Sequence, residues 1–363
     1  MRAAFVVYGD LDIVSGGYIY DRAIADQLST AGHHVEVIGL PWRTYGEHLL
    51  DNLKPGLLRS MAIPGYDVII QDELNHPSLF LLNRWLKPRI DASVIRIVHH
   101  LRASEHRPTW QNRLYRLPEH LYLRSVDAFI YNSQTTRQIV EAVVQRPGIV
   151  VYPAGDRVQT NITPQQIEAR AHTAGPLRVL FVGNLIPRKG LHTLIDALAQ
   201  LPTESWHLTV IGNEDADPAY AHAIHRQVAQ VGVEASVRFA GRLLDTALIA
   251  EFLAAHLLAV PSTYEGFGIV YLEAMGAGLP AIGSTAGAAH EIITDGEDGF
   301  LVEPQDAGGL SRILWELNQD RHRLAEMGAR ALQRYNRHPT WTQSARRAVA
   351  FIEEVHHQTA STH

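Results

Sequence analysis

The sequence predicts an α/β chain made of two doubly wound domains, each organised on a parallel sheet. Three observations carry this. Short apolar, β-branched runs alternate with amphipathic stretches of helix length, the pattern of parallel strands joined by crossover helices. The alternation runs through six strands, stops in a polar stretch, and restarts for six more. The length, 363 residues, exceeds what one core usually organises and suits two α/β domains of ordinary size.

In the first half the strands are AAFVVY (3–8), HVEVIGL (34–40), DVIIQ (67–71), SVIRIVHH (93–100), AFIYNS (128–133) and IVVYPA (149–154). The polar stretch around 155–176 carries no strand signal, ends in Gly175-Pro176 and reads as a linker. The second half supplies LRVLFVGN (177–184), HLTVIGN (207–213), SVRFAG (236–241), LLAVPS (257–262), PAIGST (280–285) and GFLV (299–302). Paired helices near 306–335 follow. The segment 338–357, introduced by Pro339 and Thr340, is helical again, and such a helix can pack back across a hinge. The domains are therefore expected at 1–165, completed by 338–358, and at 176–337.

Composition narrows the function. Hydrophobic residues make up 46% and charged residues 19% of the chain, as in a soluble globular protein. No apolar run approaches the roughly 20 residues that span a bilayer, and MRAAFVVYGD is too short for a signal peptide, so a cytoplasmic location is expected. Cysteine is absent, which removes disulfides, thiolate catalysis and Cys-ligated zinc. The net charge of −6 argues against a nucleic-acid partner. Pairs such as His33/His34, His99/His100 and His356/His357 lack carboxylates at metal-site spacing, so no metal is expected.

Three motifs fall at carboxyl ends of strands, where open α/β sheets bind ligands. After the first strand, Ser15-Gly16-Gly17 opens a helix; adjacent glycines allow close backbone approach, and the first helical turn favours an anion such as a diphosphate. The equivalent loop of the second half reads Gly183-Asn184-Leu185-Ile186-Pro187-Arg188-Lys189-Gly190. Two adjacent cations there can neutralise a diphosphate leaving group, and their position weighs against a merely solvated basic turn. The strongest signal is PSTYEGFGIVYLEAMGAGLP (261–280), in which Gly266-Phe267-Gly268-Ile269 separates Glu265 from Glu273. Backbone donors of this turn suit sugar hydroxyls and phosphate oxygens, and each carboxylate can accept two hydrogen bonds from a vicinal diol. Glu265 is placed for the sugar and Glu273 for the ribose. The alternative for Glu273, a surface charge, fits poorly with its apolar neighbours Val270, Leu272, Ala274 and Met275.

Together these motifs resemble the glycosyltransferases of family 4, and the likeness spans nearly the whole chain. The resemblance implies the GT-B fold, two facing Rossmann-like domains with a C-terminal helix crossing back to the N-terminal one. It implies a retaining, metal-independent hexosyltransferase with no cofactor beyond its nucleoside-diphosphate sugar, of UDP, GDP or ADP type. Arg188 and Lys189 would bind the diphosphate, Glu265 and the amides of Gly266 to Ile269 the sugar, and Glu273 the ribose; Gly16, Gly17, Gly183, Asn184 and Leu243 complete the donor side. The family also implies a histidine at a strand tip near the transferred sugar. SVIRIVHH ends in two, of which His100 is favoured for its place at the tip, with His99 in a supporting role.

The N-terminal half is the acceptor side in that fold, and Asp72, Glu73 and Asn75 follow one of its strands as hydroxyl binders or helix caps. The stretch 102–124 combines Arg102, Arg107, Arg113, Arg116 and Arg124 with Trp110, Tyr115 and Tyr122. That composition suits peripheral contact with an anionic membrane and a lipid-linked acceptor, as well as an ordinary crossover helix. Two rival functions share the architecture: a nucleotide-sugar 2-epimerase and a non-catalytic nucleotide-sugar-binding protein.

Overall fold

The computed structural model describes residues 1–13, 15–62, 65–104 and 109–360. The chain forms two compact units, one from Met1 to Pro153 joined by the residues from Thr340 onward, the other Ala154–Pro339.

The first unit holds strands β1 (Arg2–Tyr8), β2 (His34–Leu40), β3 (Val68–Gln71), β4 (Ser93–Val98), β5 (Ala128–Tyr131) and β6 (Gly148–Val150). They pair in parallel in the order β2-β1-β3-β4-β5-β6. Helices cover both faces of the central strands, which is why β1, β3, β4 and β5 read as largely apolar runs, while the edge strand β2 is mostly exposed. Ala4, Val6, Ile69, Val94 and Phe129 face one core, and Phe5, Val7, Ile70, Ile95 and Ile130 the other.

The terminal helix Trp341–Ala360 belongs to this unit. Thr340 starts it with a capping box: its N–H donates to Gln343 Oε1 at 2.9 Å and its Oγ1 accepts from the Gln343 N–H at 3.3 Å. The helix buries Ala348, Ile352 and Val355 in one core with Ile24 and Leu28 of the helix Gly16–Thr30. Burying each large aliphatic is worth about 1.5–3 kcal/mol.

The second unit repeats the plan with β7 (Leu177–Val182), β8 (Trp206–Ile211), β9 (Val237–Gly241), β10 (Leu257–Ala259), β11 (Ala281–Ser284) and β12 (Gly299–Val302). Their order is β12-β11-β10-β7-β8-β9, again parallel. In each sheet the chain starts in the middle and later reverses direction. The reversals lie between β1 and β3 and between β7 and β10, and a crevice opens at such a point outside the strands' carboxyl ends.

Two expectations change. The stretch around 155–176 is not a bare linker. It contains the helix Pro164–Ala171, capped reciprocally by Thr163 and Gln166, and it belongs to the second unit, so the boundary falls after Pro153 rather than near 165. Only Ile167 and Ala171 are buried on it, too few for a hydrophobic signal. Arg170 adds hydrogen bonds to the carbonyls of Ala277 and Gly278 at 2.9 and 2.6 Å. Several strands also end earlier than expected: β4 stops at Val98, β7 at Val182 and β10 at Ala259. The residues beyond them leave the sheet, and the site is built from them. No helix among the described residues is long and apolar enough to cross a membrane.

Candidate functional site

At the reversal in the second unit, the loops after β7 and β10 are tied together. The Thr263 N–H donates to the Arg188 carbonyl at 2.8 Å. Gly190 adopts φ +72°, and a Cβ there would lie 2.0 Å from the Pro261 carbonyl oxygen. Only glycine permits both this conformation and this approach. The tie brings three charges together. Lys189 Nζ lies 2.6 Å from Glu265 Oε2, Arg188 lies 3.7 Å from Oε1, and Ser262 Oγ donates to Oε2 at 3.1 Å. Burial alone would raise the Glu265 pKa, but the two cations and these hydrogen bonds take it down to about 2. Burial and the neighbouring Arg188 hold Lys189 below its ordinary value even though Glu265 opposes them. The cluster is one carboxylate against two cations.

The turn after Glu265 closes at Gly268, φ +100°, where the helix Ile269–Gly276 begins. A Cβ at Gly268 would lie 2.3 Å from the Tyr271 ring. Phe267 is buried, while Gly266 and Ile269 are partly exposed. Gly183 and Asn184 leave β7 at the same edge, Asn184 exposed. Leu243 follows β9, which β8 separates from β7. Glu273 is buried, and Arg157 holds its Oε1 through Nε at 3.1 Å and a terminal nitrogen at 3.0 Å. Arg157 comes from the segment taken for a linker, so sequence spacing could not reveal this partner.

In the first unit the corresponding reversal gathers Gly16, Gly17, Asp72, Glu73, His99 and His100. His99 Nε2 sits 3.2 Å from Asp21 Oδ1 and 3.3 Å from Asp72 Oδ2, and the Tyr20 ring meets it edge-on at 5.3 Å between centroids. A Cβ at Gly17 would come within 3.4 Å of the His99 ring. Burial disfavours a charged His99, yet Asp21 and Asp72 carry its pKa well above the ordinary value. Burial and then Asp72 push Asp21 up to about 7. These three groups offer ligand-type atoms within 4.8 Å of one another, a spacing that also fits a metal ion. The hydrogen-bonding distances and the raised His99 describe an imidazolium shared by two carboxylates.

His100 faces elsewhere, its Nδ1 lying 2.9 Å from Glu73 Oε1. Glu73 also accepts the backbone N–H groups of His99 and His100. Burial would raise its pKa, but His100, His99 and Arg96 lower it to about 2. Of the two roles expected of Asp72, capping is present, since Oδ1 accepts the Leu74 N–H at 2.8 Å. Asn75 is fully buried and donates to the Val6 carbonyl at 2.6 Å, which removes it from the acceptor surface. Sequence reasoning missed Asp21; the signal was a carboxylate on the apolar face of YIYDRAIADQL.

Beside this cluster lies a pocket of about 220 Å³ walled by Tyr8, Trp42, Tyr45, His76, His100 and Arg102, among others. The helix Thr109–Leu123 buries Glu119, Tyr122 and Leu123 and exposes Arg113, Leu114, Arg116 and Leu117. Arg107 and the Trp110 side chain lie outside the described residues.

Residues 163–334 match the family described as Glycosyl transferases group 1. The lipopolysaccharide core biosynthesis glycosyltransferase LpsE of Rhizobium meliloti is 30% identical over 242 residues, 64% of this chain and 68% of that protein. A D-inositol 3-phosphate glycosyltransferase of Corynebacterium aurimucosum is 30% identical over 259 residues, 67% of this chain and 62% of its own length. The match thus spans less than two thirds of that relative. Sucrose-phosphate synthase from Thermosynechococcus elongatus superposes with a TM-score of 0.83 at 22% identity, covering 98% of each chain. The likeness shows the fold, the GT-B architecture of two Rossmann-like units.

Proposed function

The chain belongs to the group 1 glycosyl transferases, and from that premise we propose that it moves a hexose from a nucleoside-diphosphate sugar to an acceptor hydroxyl, with retention of configuration and without a metal. The observation that carries this is the cluster of Arg188, Lys189 and Glu265 at the reversal of the second unit's sheet. Two cations held against one carboxylate leave a surplus positive charge where a diphosphate's charge develops as it departs. Glu265 and the turn through Ile269 take the sugar, and Glu273, already ordered by Arg157, the ribose. We assign no protein nucleophile; the departing phosphate itself serves as base for the acceptor hydroxyl on the same face. Catalysis then rests on positioning and charge.

Of the two strand-tip histidines, we assign the family's histidine role to His99 rather than His100, because the His99 ring packs against Gly17 at the reversal. The names of the relatives support a saccharide or phosphorylated cyclitol acceptor, and Arg113, Leu114, Arg116 and Leu117 support peripheral contact with an anionic membrane from the cytoplasmic side. The test is calorimetry and thermal shift with UDP, GDP, ADP and their hexose conjugates, with and without EDTA. Selective stabilisation by one nucleotide, indifferent to EDTA, is expected. Absence of binding at millimolar concentration would overturn the donor site, and binding lost with EDTA would overturn metal independence.

A further inference from the structure

We propose that the pocket beside His100 is an acceptor subsite that reads an anionic substituent, with Arg102 gripping a phosphate or carboxylate on a polyol ring and Trp42 backing the ring. The proposal rests on the transferase reading and adds to it the pocket and the residue that would read the acceptor's charge. Its volume of about 220 Å³ falls below the roughly 300–1,000 Å³ of drug-sized sites, so one ring with its charged substituent fills it.

Arg102 is held for the task. Its guanidinium carbon lies 5.1 Å from the centre of the Tyr45 ring and 4.7 Å from that of Tyr115. Its Nε is buried without a hydrogen-bond partner, and among the described residues its side chain makes no ion pair. A guanidinium stacked between rings is fixed in direction while its donors stay unspent, which suits bidentate capture of a planar or tetrahedral anion.

The neighbouring acceptors are engaged by other donors. Glu73 is occupied by two backbone N–H groups and by His100. Glu119 accepts the backbone N–H groups of Arg102 and Ala103 at 2.8 and 3.3 Å. His76 directs Nδ1 at the Glu73 carbonyl at 3.1 Å and Nε2 at the Tyr45 hydroxyl at 3.3 Å. Burial and then the Arg96 charge take His76 to about 3, so it is neutral and already committed. The acceptors of the wall are each engaged by another donor, whereas among the described residues the side-chain donors of Arg102 have no hydrogen-bond partner, an arrangement that suits an anionic oxygen. Trp42, 55% exposed and 5.3 Å from the Tyr8 ring, adds an aromatic face.

The anion has two possible sources, a soluble phosphorylated sugar or a phospholipid headgroup. Calorimetry on the full chain uses glucose 6-phosphate against glucose, and vesicles of phosphatidylcholine with or without about one-fifth phosphatidylinositol. Glucose 6-phosphate should bind about ten- to a hundredfold more tightly than glucose, the worth of a charge-assisted hydrogen-bond set. Arg102→Gln should abolish that preference, and Arg102→Lys should restore it only in part. Trp42→Ala, a surface change, should weaken both sugars equally. Phosphatidylinositol-dependent vesicle binding that Arg102→Gln abolishes would assign a lipid headgroup; preference confined to the soluble sugar would assign a free phosphate. Equal binding of the two sugars together with vesicle binding indifferent to Arg102, or no binding to any probe, overturns the subsite. Nucleotide titration of the same samples reports separately on the donor site and on folding, so the two readings fail independently.

Discussion

Replacing Glu265 with Gln keeps the shape of the side chain and removes its charge. In the wild type this carboxylate is 7% exposed and lies 2.6 Å from Lys189 Nζ. A carboxyl held at about 2 where 4.5 is ordinary is stabilised in its charged form by about 3 kcal/mol. Because the folded pKa is depressed, this contribution is complete above pH 4.5 and is lost as pH falls from there toward 2. Glu265→Gln should therefore cost about 3 kcal/mol at pH 7, and the gap to wild type should narrow below about pH 4. For a unit of this size each kcal/mol moves the melting temperature by roughly 2–4 °C, so calorimetry should show a drop of about 6–12 °C at pH 7. The same variant leaves Arg188 and Lys189 without their carboxylate, so affinity for a nucleoside diphosphate should hold or rise while turnover falls. An unchanged melting temperature, or nucleotide affinity lost in step with stability, would refute the reasoning.

Two further perturbations test the other clusters. Asp21→Asn removes the first-ranked support for the charged form of His99, so its imidazole pKa, followed by NMR, should fall toward or below the ordinary histidine value; an unmoved titration would dissolve the coupling. Glu273→Gln strips Arg157 of its buried carboxylate and should weaken nucleotide binding about tenfold or more while lowering stability by about 1–2 kcal/mol. Lost stability with unchanged nucleotide affinity would make Glu273 a structural tie to the segment 155–158 and nothing more.

Most of the twelve strands were legible because central strands such as β1, β3, β4 and β5 are buried along their length and so read as apolar runs, while the mostly exposed edge strand β2 was legible from its β-branched alternation. The helix Pro164–Ala171 was not, since its hold on the second unit is two small apolar contacts and polar bonds from Arg170 to backbone carbonyls. Its capping box, Thr163 with Gln166, was the available signal. The placement of Lys189, Glu265 and Asp72 beyond the carboxyl ends of strands was legible because it is a property of the local sequence. Asp21 and Arg157 were not, because a partner across the fold leaves no spacing to read. The choice between His99 and His100 had the same difficulty: both leave β4 together, and only packing against Gly17 on one side and Glu73 on the other separates them.

The two reversals use one device with opposite sign. In the second unit one carboxylate answers two cations, which leaves an excess of positive charge. In the first, two carboxylates stand against one imidazole, and burial together with the neighbouring Asp72 raises Asp21 above the usual carboxylate range. A departing diphosphate needs the first kind of edge, since its charge grows as the bond breaks. Each edge is assembled locally, in the second unit by the close approach of Gly190 to Pro261 and in the first by the packing of the His99 ring against Gly17.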